Sequence, residues 1–201
     1  MMRLLVSTTN PGKKKEFLAL FRGSPFDLVF PEELGVHVEV EETGSTYAEN
    51  AILKARTFSE ITGLATLADD TGLEVGVLGG RPGLYSARFS PLQGATDGDR
   101  RLKLLDELRE KPQPWTARFF CAVALFGLKG SVQVFDGEIK GEIISRERGE
   151  LGFGYDRIFW IPVLQKTMAE LTLVEKNLYS HRAIAVKKAL VVLQQIENEG
   201  S

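Results

Sequence analysis

The feature that most constrains the fold is a short strand followed at once by turn residues and a run of lysines. Residues 3–6 are predicted to form the strand, and residues 16–21 are predicted to open an amphipathic helix. Between them, Thr9, Asn10 and Gly12 supply the turn and capping chemistry of a helix start. A strand, a turn and a helix in this order predict the start of an α/β fold.

The charge at this helix start is unusual. Helix N-termini carry partial positive charge and favour Asp or Glu, yet Lys13, Lys14 and Lys15 follow the turn. An anionic ligand would resolve the conflict, because backbone N–H groups and lysines together form a phosphate site. A solvated lysine run with a small local penalty is the alternative interpretation. The segment is not a Walker A loop, since Ser7 stands where that motif needs its first glycine.

Composition narrows the class of protein. The 201 residues suffice for one core, or for one core with a smaller lobe. A net charge of −2 argues against a nucleic-acid-binding surface, and no apolar run has the length of a membrane span. The single cysteine, Cys121, excludes an internal disulfide, and two histidines without cysteine partners exclude a zinc site. Without a signal-peptide pattern, we expect a cytoplasmic protein.

Strand and helix patterns alternate along the first half of the chain and give way to two long strands in the second. Helices are predicted from Thr46 to about Ile61, over residues 97–108, and from Ser180 onward. The long strands, residues 115–128 and 131–145, would form a projecting hairpin that turns near Lys129 and Gly130. We therefore expect a single domain over residues 1–201: an α/β fold with a mixed twisted sheet, flanking helices and two lobes around a central cleft.

Adjacent carboxylates at the predicted end of a buried strand are the strongest catalytic candidates. Asp69 and Asp70 follow an apolar run over residues 64–68, and such a pair suits magnesium, which prefers oxygen ligands. Glu41 and Glu42 form a second acidic cluster that could complete the site. A surface acidic turn, with Asp70 forming an Asx-turn, is the alternative interpretation.

Three further groups have the chemistry of a nucleotide site. Asn50 and Lys54 share a helix face, so Lys54 could reach a phosphate or simply pair with a carboxylate. Residues 153–156 combine aromatic rings with a carboxylate, although aromatic turns often only cover a core. Near the last helix the chain places a cluster of polar and charged residues: Lys176, Ser180, His181 and Arg182.

Taken together, these segments resemble the inosine triphosphatase family of pyrophosphatases for non-standard purine nucleoside triphosphates. The resemblance is collinear over nearly the whole chain, and the order and spacing of its pieces are specific. The matching pieces are Thr8-Thr9-Asn10-Pro11-Gly12-Lys13, Glu41-Glu42-Thr43-Gly44, Glu49-Asn50-Ala51 with Lys54-Ala55, Ala68-Asp69-Asp70-Thr71-Gly72, Gly79-Gly80 with Pro82-Gly83, Ser86-Ala87-Arg88, Gly152-Phe153-Gly154-Tyr155-Asp156, and Glu175-Lys176-Asn177 with Ser180-His181-Arg182.

The resemblance implies a homodimeric, Mg²⁺-dependent hydrolase that splits ITP, dITP or XTP into a nucleoside monophosphate and diphosphate, cleansing the nucleotide pool. It implies that Glu41 and Asp70 bind the metal, and that Asp70 also accepts the proton of the attacking water with support from Asp69. The implied substrate contacts are Thr8, Thr9, Asn10, Pro11, Gly12, Lys13, Lys54, Thr71, Phe153, Gly154, Tyr155, Asp156, Lys176, His181 and Arg182.

Three positions depart from the family pattern. Thr71 stands where Ser is common, Arg157 where Pro is usual, and Arg100 where Asn is often found. Two other functions stay open from the residues alone: a pyrophosphatase for other modified nucleotides, and a non-catalytic nucleotide-binding module. The carboxylates argue against pure binding, because without a metal they repel phosphates.

Overall fold

The structure, a computed structural model, describes residues 2–128 and 132–200. Its strands are β1 (Met2–Val6), β2 (Phe26–Val29), β3 (Thr66–Val75), β4 (Pro82–Gly83), β5 (Trp115–Phe126), β6 (Gln133–Ile143), β7 (Phe159–Ile161) and β8 (Lys166–Thr167). Its α-helices are α1 (Pro11–Leu20), α2 (Tyr47–Thr62), α3 (Asp97–Leu108), α4 (Leu173–Tyr179) and α5 (His181–Gly200). Short 3₁₀ helices lie at Pro31–Leu34, Gly76–Leu78, Ser86–Arg88, Pro162–Leu164 and Met168–Glu170.

The strands form one mixed sheet, so the predicted α/β class with a mixed twisted sheet and flanking helices is confirmed. Within the described residues the strand order is β2-β1-β3-β5-β6-β7-β8, and β4 pairs with β3. Strand β1 is parallel to both β2 and β3, whereas β4, β7 and β8 join antiparallel pairs.

The chain divides into two compact units, and β3, β5 and β6 each contribute residues to both. The first unit comprises residues 1–70, 121–137 and 181–201, and the second comprises residues 71–120 and 138–180. Each unit has its own apolar core. In the first, Phe17 of α1 and Val186 of α5 pack with Leu4, Leu67 and Val123 of the sheet. The second core is built from side chains such as Leu104, Phe119 and Phe159.

Several predicted elements have different bounds. Helix α1 begins at Pro11 rather than near residue 16, so Lys13 lies inside its first turn. Strand β3 does not end at Asp69 but continues to Val75, which corrects the placement of the two carboxylates at a strand end. The physical reason is its pairing on both sides of Asp69: Leu67 pairs with β1, and Leu73 pairs with β4. Lys176 lies in a separate helix, α4, and not at the start of the last one.

The two long strands of the predicted hairpin are present as neighbours in the sheet, β5 and β6. The predicted turn at Lys129 and Gly130 lies outside the described residues. Strand β5 is buried along most of its length, and Cys121 at its centre is fully buried.

Candidate active site

The turn between β1 and α1 is a capped helix start. The Asn10 side chain accepts hydrogen bonds from the backbone N–H groups of Gly12 at 2.9 Å and Lys13 at 3.1 Å. Thr8 accepts one from Asn10 N–H at 3.2 Å, and Pro11 occupies the first helical turn, where its missing N–H matters least. Thr9 and Asn10 are exposed. These bonds fix the direction of α1 and thereby place Lys13 beside β3.

Asp69 is the centre of a buried ion network, which we call the Asp69 cluster: Lys13, Glu16, Asp69 and Arg182. The Lys13 ammonium lies 2.9 Å from Oδ2 of Asp69. Arg182 donates to the same oxygen from Nε at 3.2 Å and from Nη2 at 3.1 Å. Its Nη1 donates to Glu16, and the side chains of Asp69 and Arg182 are each only 1% exposed. A charge buried this deeply has to be paired, and here the pairing joins α1, β3 and α5.

The cluster keeps Asp69 ionised. Burial by itself favours the neutral acid, but Lys13, Arg182 and Lys54 outweigh it and hold the pKa of Asp69 far below its usual range. The carboxylates of Asp69 and Glu16 outweigh the burial of the guanidinium and raise the pKa of Arg182. Asp69 is therefore a fixed negative charge that orients Lys13.

Asp70 lies in a different environment, the Asp70 cluster: Glu42, Asn50, Lys54 and Asp70. Asn50 of α2 donates to Oδ2 of Asp70 at 3.1 Å, and Lys54 lies 3.4 Å from Oδ1. Lys54 also lies 2.9 Å from Glu42. Burial raises the pKa of Asp70; Lys54 opposes the rise, and the nearby Glu42 carboxylate adds to it. A carboxylate with a raised pKa is a better proton acceptor than an ordinary Asp.

The donor set of the Asp70 cluster fits a hard divalent cation. The carboxylates of Glu42 and Asp70 repel each other, and a bound Mg²⁺ would relieve that repulsion. In proteins Mg²⁺ takes one or two carboxylates and completes its coordination shell with water and phosphate oxygens. No group of three or more His, Cys, Asp or Glu side chains arranged for a metal occurs among residues 2–128 and 132–200. Glu42 faces Lys54, whereas Glu41, the sequence-based candidate, is exposed.

The second unit gathers a separate group, the Phe153 cluster: Phe153, Asp156 and Lys176. Lys176 and Asp156 are both buried and lie 2.6 Å apart, and the Lys176 ammonium lies 4.8 Å from the centre of the Phe153 ring. Asp156 also accepts a hydrogen bond from Phe153 N–H at 2.9 Å. The cluster presents an aromatic face next to a buried ion pair.

Two neighbours shape this loop. Gly152 has φ +76°, and a Cβ there would collide with the Asp156 carboxylate, so glycine is required on both counts. Tyr155 points inward, where its hydroxyl donates to Ser86 O at 2.9 Å, and burial raises its pKa. This hydrogen bond gives Tyr155 a role in fixing the loop.

Two further candidates are sequence neighbours of residues in these clusters. Thr71 follows Asp70 on β3 and is half-buried, and His181 is buried as the first residue of α5. The sequence interpretation missed Glu16, whose spacing of three residues from Lys13 on the same helix was the available signal. For Lys54, pairing with a carboxylate was one of the two interpretations from the sequence, and that contact is present.

A cavity of about 430 Å³ lies within the first unit and includes Lys54 of the Asp70 cluster in its lining. Thr9 and Lys54 line it together with Ser7, His37 and Phe58. Its size lies in the usual range for small-molecule sites.

The fold and these clusters define a mixed α/β protein with a capped helix start and with two lysines, Lys13 and Lys54, each paired with one of the adjacent carboxylates Asp69 and Asp70. Comparison with known proteins specifies it further. The family model described as Ham1 family matches residues 4–192, and the chain belongs to this family. The family resemblance inferred from the sequence is thereby confirmed.

Curated relatives and solved structures cover nearly the whole chain. A dITP/XTP pyrophosphatase of Geobacter sulfurreducens is 46% identical over 98% of this chain and 100% of its own. The dITP/XTP pyrophosphatase of Bacillus subtilis is 44% identical over 96% of this chain and 98% of its own. The structure of a HAM1 protein from Coxiella burnetii matches with a TM-score of 0.87 and 38% identity, over 97% of this chain and 100% of that one.

Proposed function

We propose that this protein hydrolyses non-standard purine nucleoside triphosphates, ITP or dITP and XTP, to the nucleoside monophosphate and diphosphate. The observation that carries the proposal is the pairing of lysines with adjacent carboxylates: Lys13 with Asp69 and Lys54 with Asp70. Phosphoryl chemistry needs both signs of charge, because cations neutralise the phosphates while a carboxylate takes up a proton. The similarity to curated dITP/XTP pyrophosphatases supports the same reaction and makes the protein a hydrolase.

In the proposed reaction, water attacks the α-phosphorus, the bond to the bridging oxygen toward the β-phosphorus breaks, and diphosphate leaves. Asp70 takes the proton of the attacking water, which its raised pKa favours. Lys13, held by Asp69, and Lys54 neutralise charge on the phosphates, together with the capped start of α1 at residues 8–13. No covalent intermediate on the protein is needed.

We further propose that Mg²⁺ is the cofactor and that Asp70 holds it together with Glu41 or Glu42. The fit rests on the oxygen donors of the Asp70 cluster described above. When bound, the ion would supply charge neutralisation at the phosphate oxygens.

For the base, we propose that Phe153 stacks on the purine and that Asp156, Lys176, His181 and Arg182 provide polar contacts. A 6-oxopurine presents an acceptor at O6 and a donor at N1, the reverse of adenine. Buried donors matched to that pattern leave unpaired groups against ATP, which can discriminate by roughly 10⁴-fold.

The oligomeric state and the location belong to the same proposal: a homodimer in the cytoplasm, where nucleotides are used. Apolar residues of β5, among them Phe119, Cys121 and Val123, are covered by the protein's own cores and offer no dimer surface. The remaining support is the family resemblance, together with apolar side chains exposed on the second unit, among them Val163 at 88% and Val174 at 75%. Among the described residues, no helix is long and apolar enough to cross a membrane.

The test is a panel of nucleoside triphosphates (ITP, XTP, GTP, ATP and a modified pyrimidine nucleotide) with and without Mg²⁺, scored separately for diphosphate and orthophosphate. We expect diphosphate from ITP and XTP, far less from ATP, and none after chelation. Release of orthophosphate alone, or equal rates on all bases, would contradict the proposal. A preference for the pyrimidine would instead select the alternative, a pyrophosphatase for other modified nucleotides.

A further inference from the structure

The backbone N–H and the backbone C=O of Gly154 are both held by side chains of α3. The Gly154 N–H donates to Oδ2 of Asp97 at 2.7 Å, and the Gly154 carbonyl oxygen accepts from Nη1 of Arg101 at 2.6 Å. Asp97 and Arg101 are four residues apart on α3 and therefore share one face of it. We call this arrangement the Gly154 clamp.

Each arm of the clamp is itself braced by a charged partner. Arg100 donates to Asp97 at 2.6 Å and to Ala95 O at 2.8 Å. Arg101 donates to Glu147 at 2.6 Å, and Arg157 lies 3.5 Å from the same carboxylate. Arg100 therefore reaches Gly154 through one intermediate side chain, Asp97, and Arg157 reaches it through two, Glu147 and Arg101.

The negative charge of Asp97 stabilises its hydrogen bond with Gly154. Burial disfavours the Asp97 anion, but the hydrogen bonds from Arg100 and from Gly154 N–H outweigh it, so the pKa of Asp97 lies below its usual range. Hydrogen bonds to an ionised acceptor are shorter and stronger than neutral ones. The clamp therefore holds Gly154 firmly across the neutral pH range.

The position of Gly154 determines what the clamp can do. Gly154 directly follows Phe153 and lies two residues before Asp156, the carboxylate that binds Lys176. Its φ is +60°, and glycine is the residue with the greatest backbone freedom. Hydrogen bonds to the N–H and to the C=O of Gly154 restrict that freedom. They do so at the point where the chain connects the Phe153 ring to the ion pair of Asp156 and Lys176.

We propose that Asp97 and Arg101 are positioning residues for purine recognition. By gripping Gly154 they set the orientation of the Phe153 ring and of the Asp156 carboxylate, so that the base meets a preformed surface. Neither residue needs to touch the nucleotide. This inference rests on the proposed function in one respect, namely that residues 153–156 contact the base.

The test compares Asp97→Ala with Asp99→Ala. Both variants remove a carboxylate from the first turn of α3, but Asp99 bonds to the Thr96 cap whereas Asp97 bonds to Gly154, so the loss of Asp99 controls for helix stability. We expect Asp97→Ala to raise the KM for ITP by about ten-fold with kcat changed less than about two-fold, because uniform binding is lost. Hydrogen exchange of the Gly154 N–H should accelerate in Asp97→Ala and not in Asp99→Ala.

Two further variants secure the interpretation. Asp97→Asn keeps an oxygen acceptor and should restore slow exchange at Gly154 and most of the affinity. Arg100→Ala removes the brace of Asp97 together with hydrogen bonds to Ala87 O and Ala95 O but leaves Asp97 in place, so it should fold and give a smaller change in the same direction. Equal KM and equal exchange in Asp97→Ala and Asp99→Ala would overturn the clamp. Failure of the wild-type protein to release diphosphate from ITP would instead overturn the proposed function, while the exchange data would still decide whether the clamp exists.

Discussion

The carboxyls of Asp69 and Asp70 are neighbours in sequence, yet their pKa values move in opposite directions. Both are buried on β3. Lys13 and Arg182 prevail over burial at Asp69 and lower its pKa, whereas burial with the nearby Glu42 prevails over Lys54 at Asp70 and raises its pKa. Environments that separate the pKa values of two adjacent carboxyls separate their roles. Asp69 is a permanent anion that orients cations, and Asp70 is suited to accept a proton.

Asp70→Asn should abolish turnover while the protein stays folded. The substitution removes the proton acceptor, which alone contributes about 10²–10⁴-fold, and also a proposed metal ligand. The Asn50 amide can still hydrogen-bond to the new side-chain oxygen, so the local structure should survive. Diphosphate release and thermal unfolding measure the two effects. Activity near the wild-type level in a folded variant would remove Asp70 from the mechanism.

Asp69→Asn should instead destabilise the protein. Removing one partner of a buried ion network leaves the others uncompensated, which costs about 3–5 kcal/mol. The folded-state pKa of Asp69 lies below the unfolded value of about 3.9, so its stabilising contribution is fully present above that pH and is lost as the pH falls. The difference in unfolding free energy between wild type and variant should be constant from about pH 5 to 8 and shrink below about pH 4. If this difference in unfolding free energy does not depend on pH, the charge of Asp69 does not stabilise the protein.

Local signals in the sequence predicted local structure well. The predicted helix over residues 97–108 has those bounds in the structure, where Thr96 and Asp99 form a capping box. The prediction failed where strand pairing decides the length of an element. The polar residues Asp69 and Asp70 were expected to end β3, but the strand continues past them. Pairing with β1 before the carboxylates and with β4 after them keeps the strand extended. No property of Asp69 and Asp70 themselves encodes that pairing.

The candidate site shows the same division. Capping by Asn10 follows from a short spacing and was foreseen, and the pairing of Lys54 with a carboxylate was one of its two interpretations from the sequence. The contact of Arg182 with Glu16 joins residues 166 positions apart, and that of Arg101 with Gly154 joins residues 53 positions apart. The tertiary fold brings such distant residues together, and no local pattern in a single sequence predicts these contacts.

Lys13→Ala should mainly weaken binding of the triphosphate. Its ammonium is held by Asp69 at the start of α1, where it adds to the positive end of the helix. We expect a higher KM for ITP, with some loss of kcat if the contact tightens in the transition state. Lys15→Ala is the matched control, because Lys15 is exposed on the same helix. Unchanged kinetic constants in Lys13→Ala would confine Lys13 to its ion pair with Asp69.

The protein should be a dimer at micromolar concentration. Exposed apolar side chains such as Val163 and Val174 offer surface that a second copy could cover. Multi-angle light scattering should give twice the mass of the chain. A monomeric mass at that concentration would contradict the proposed homodimer.

Arg182→Ala should lower both stability and base selectivity. The guanidinium is buried against Asp69 and Glu16, so its loss should cost about 3–5 kcal/mol of unfolding free energy. If Arg182 also reads the purine O6 when substrate binds, the ratio of kcat/KM for ITP over ATP should fall by about ten- to a hundred-fold, the worth of one hydrogen bond from a charged donor. Arg182→Lys separates the two effects, because lysine keeps a cation beside Asp69 but lacks the planar fork. We expect it to recover part of the stability and little of the selectivity. A constant ITP-to-ATP ratio in both variants would confine Arg182 to the Asp69 cluster and leave Asp156 or His181 to read the base.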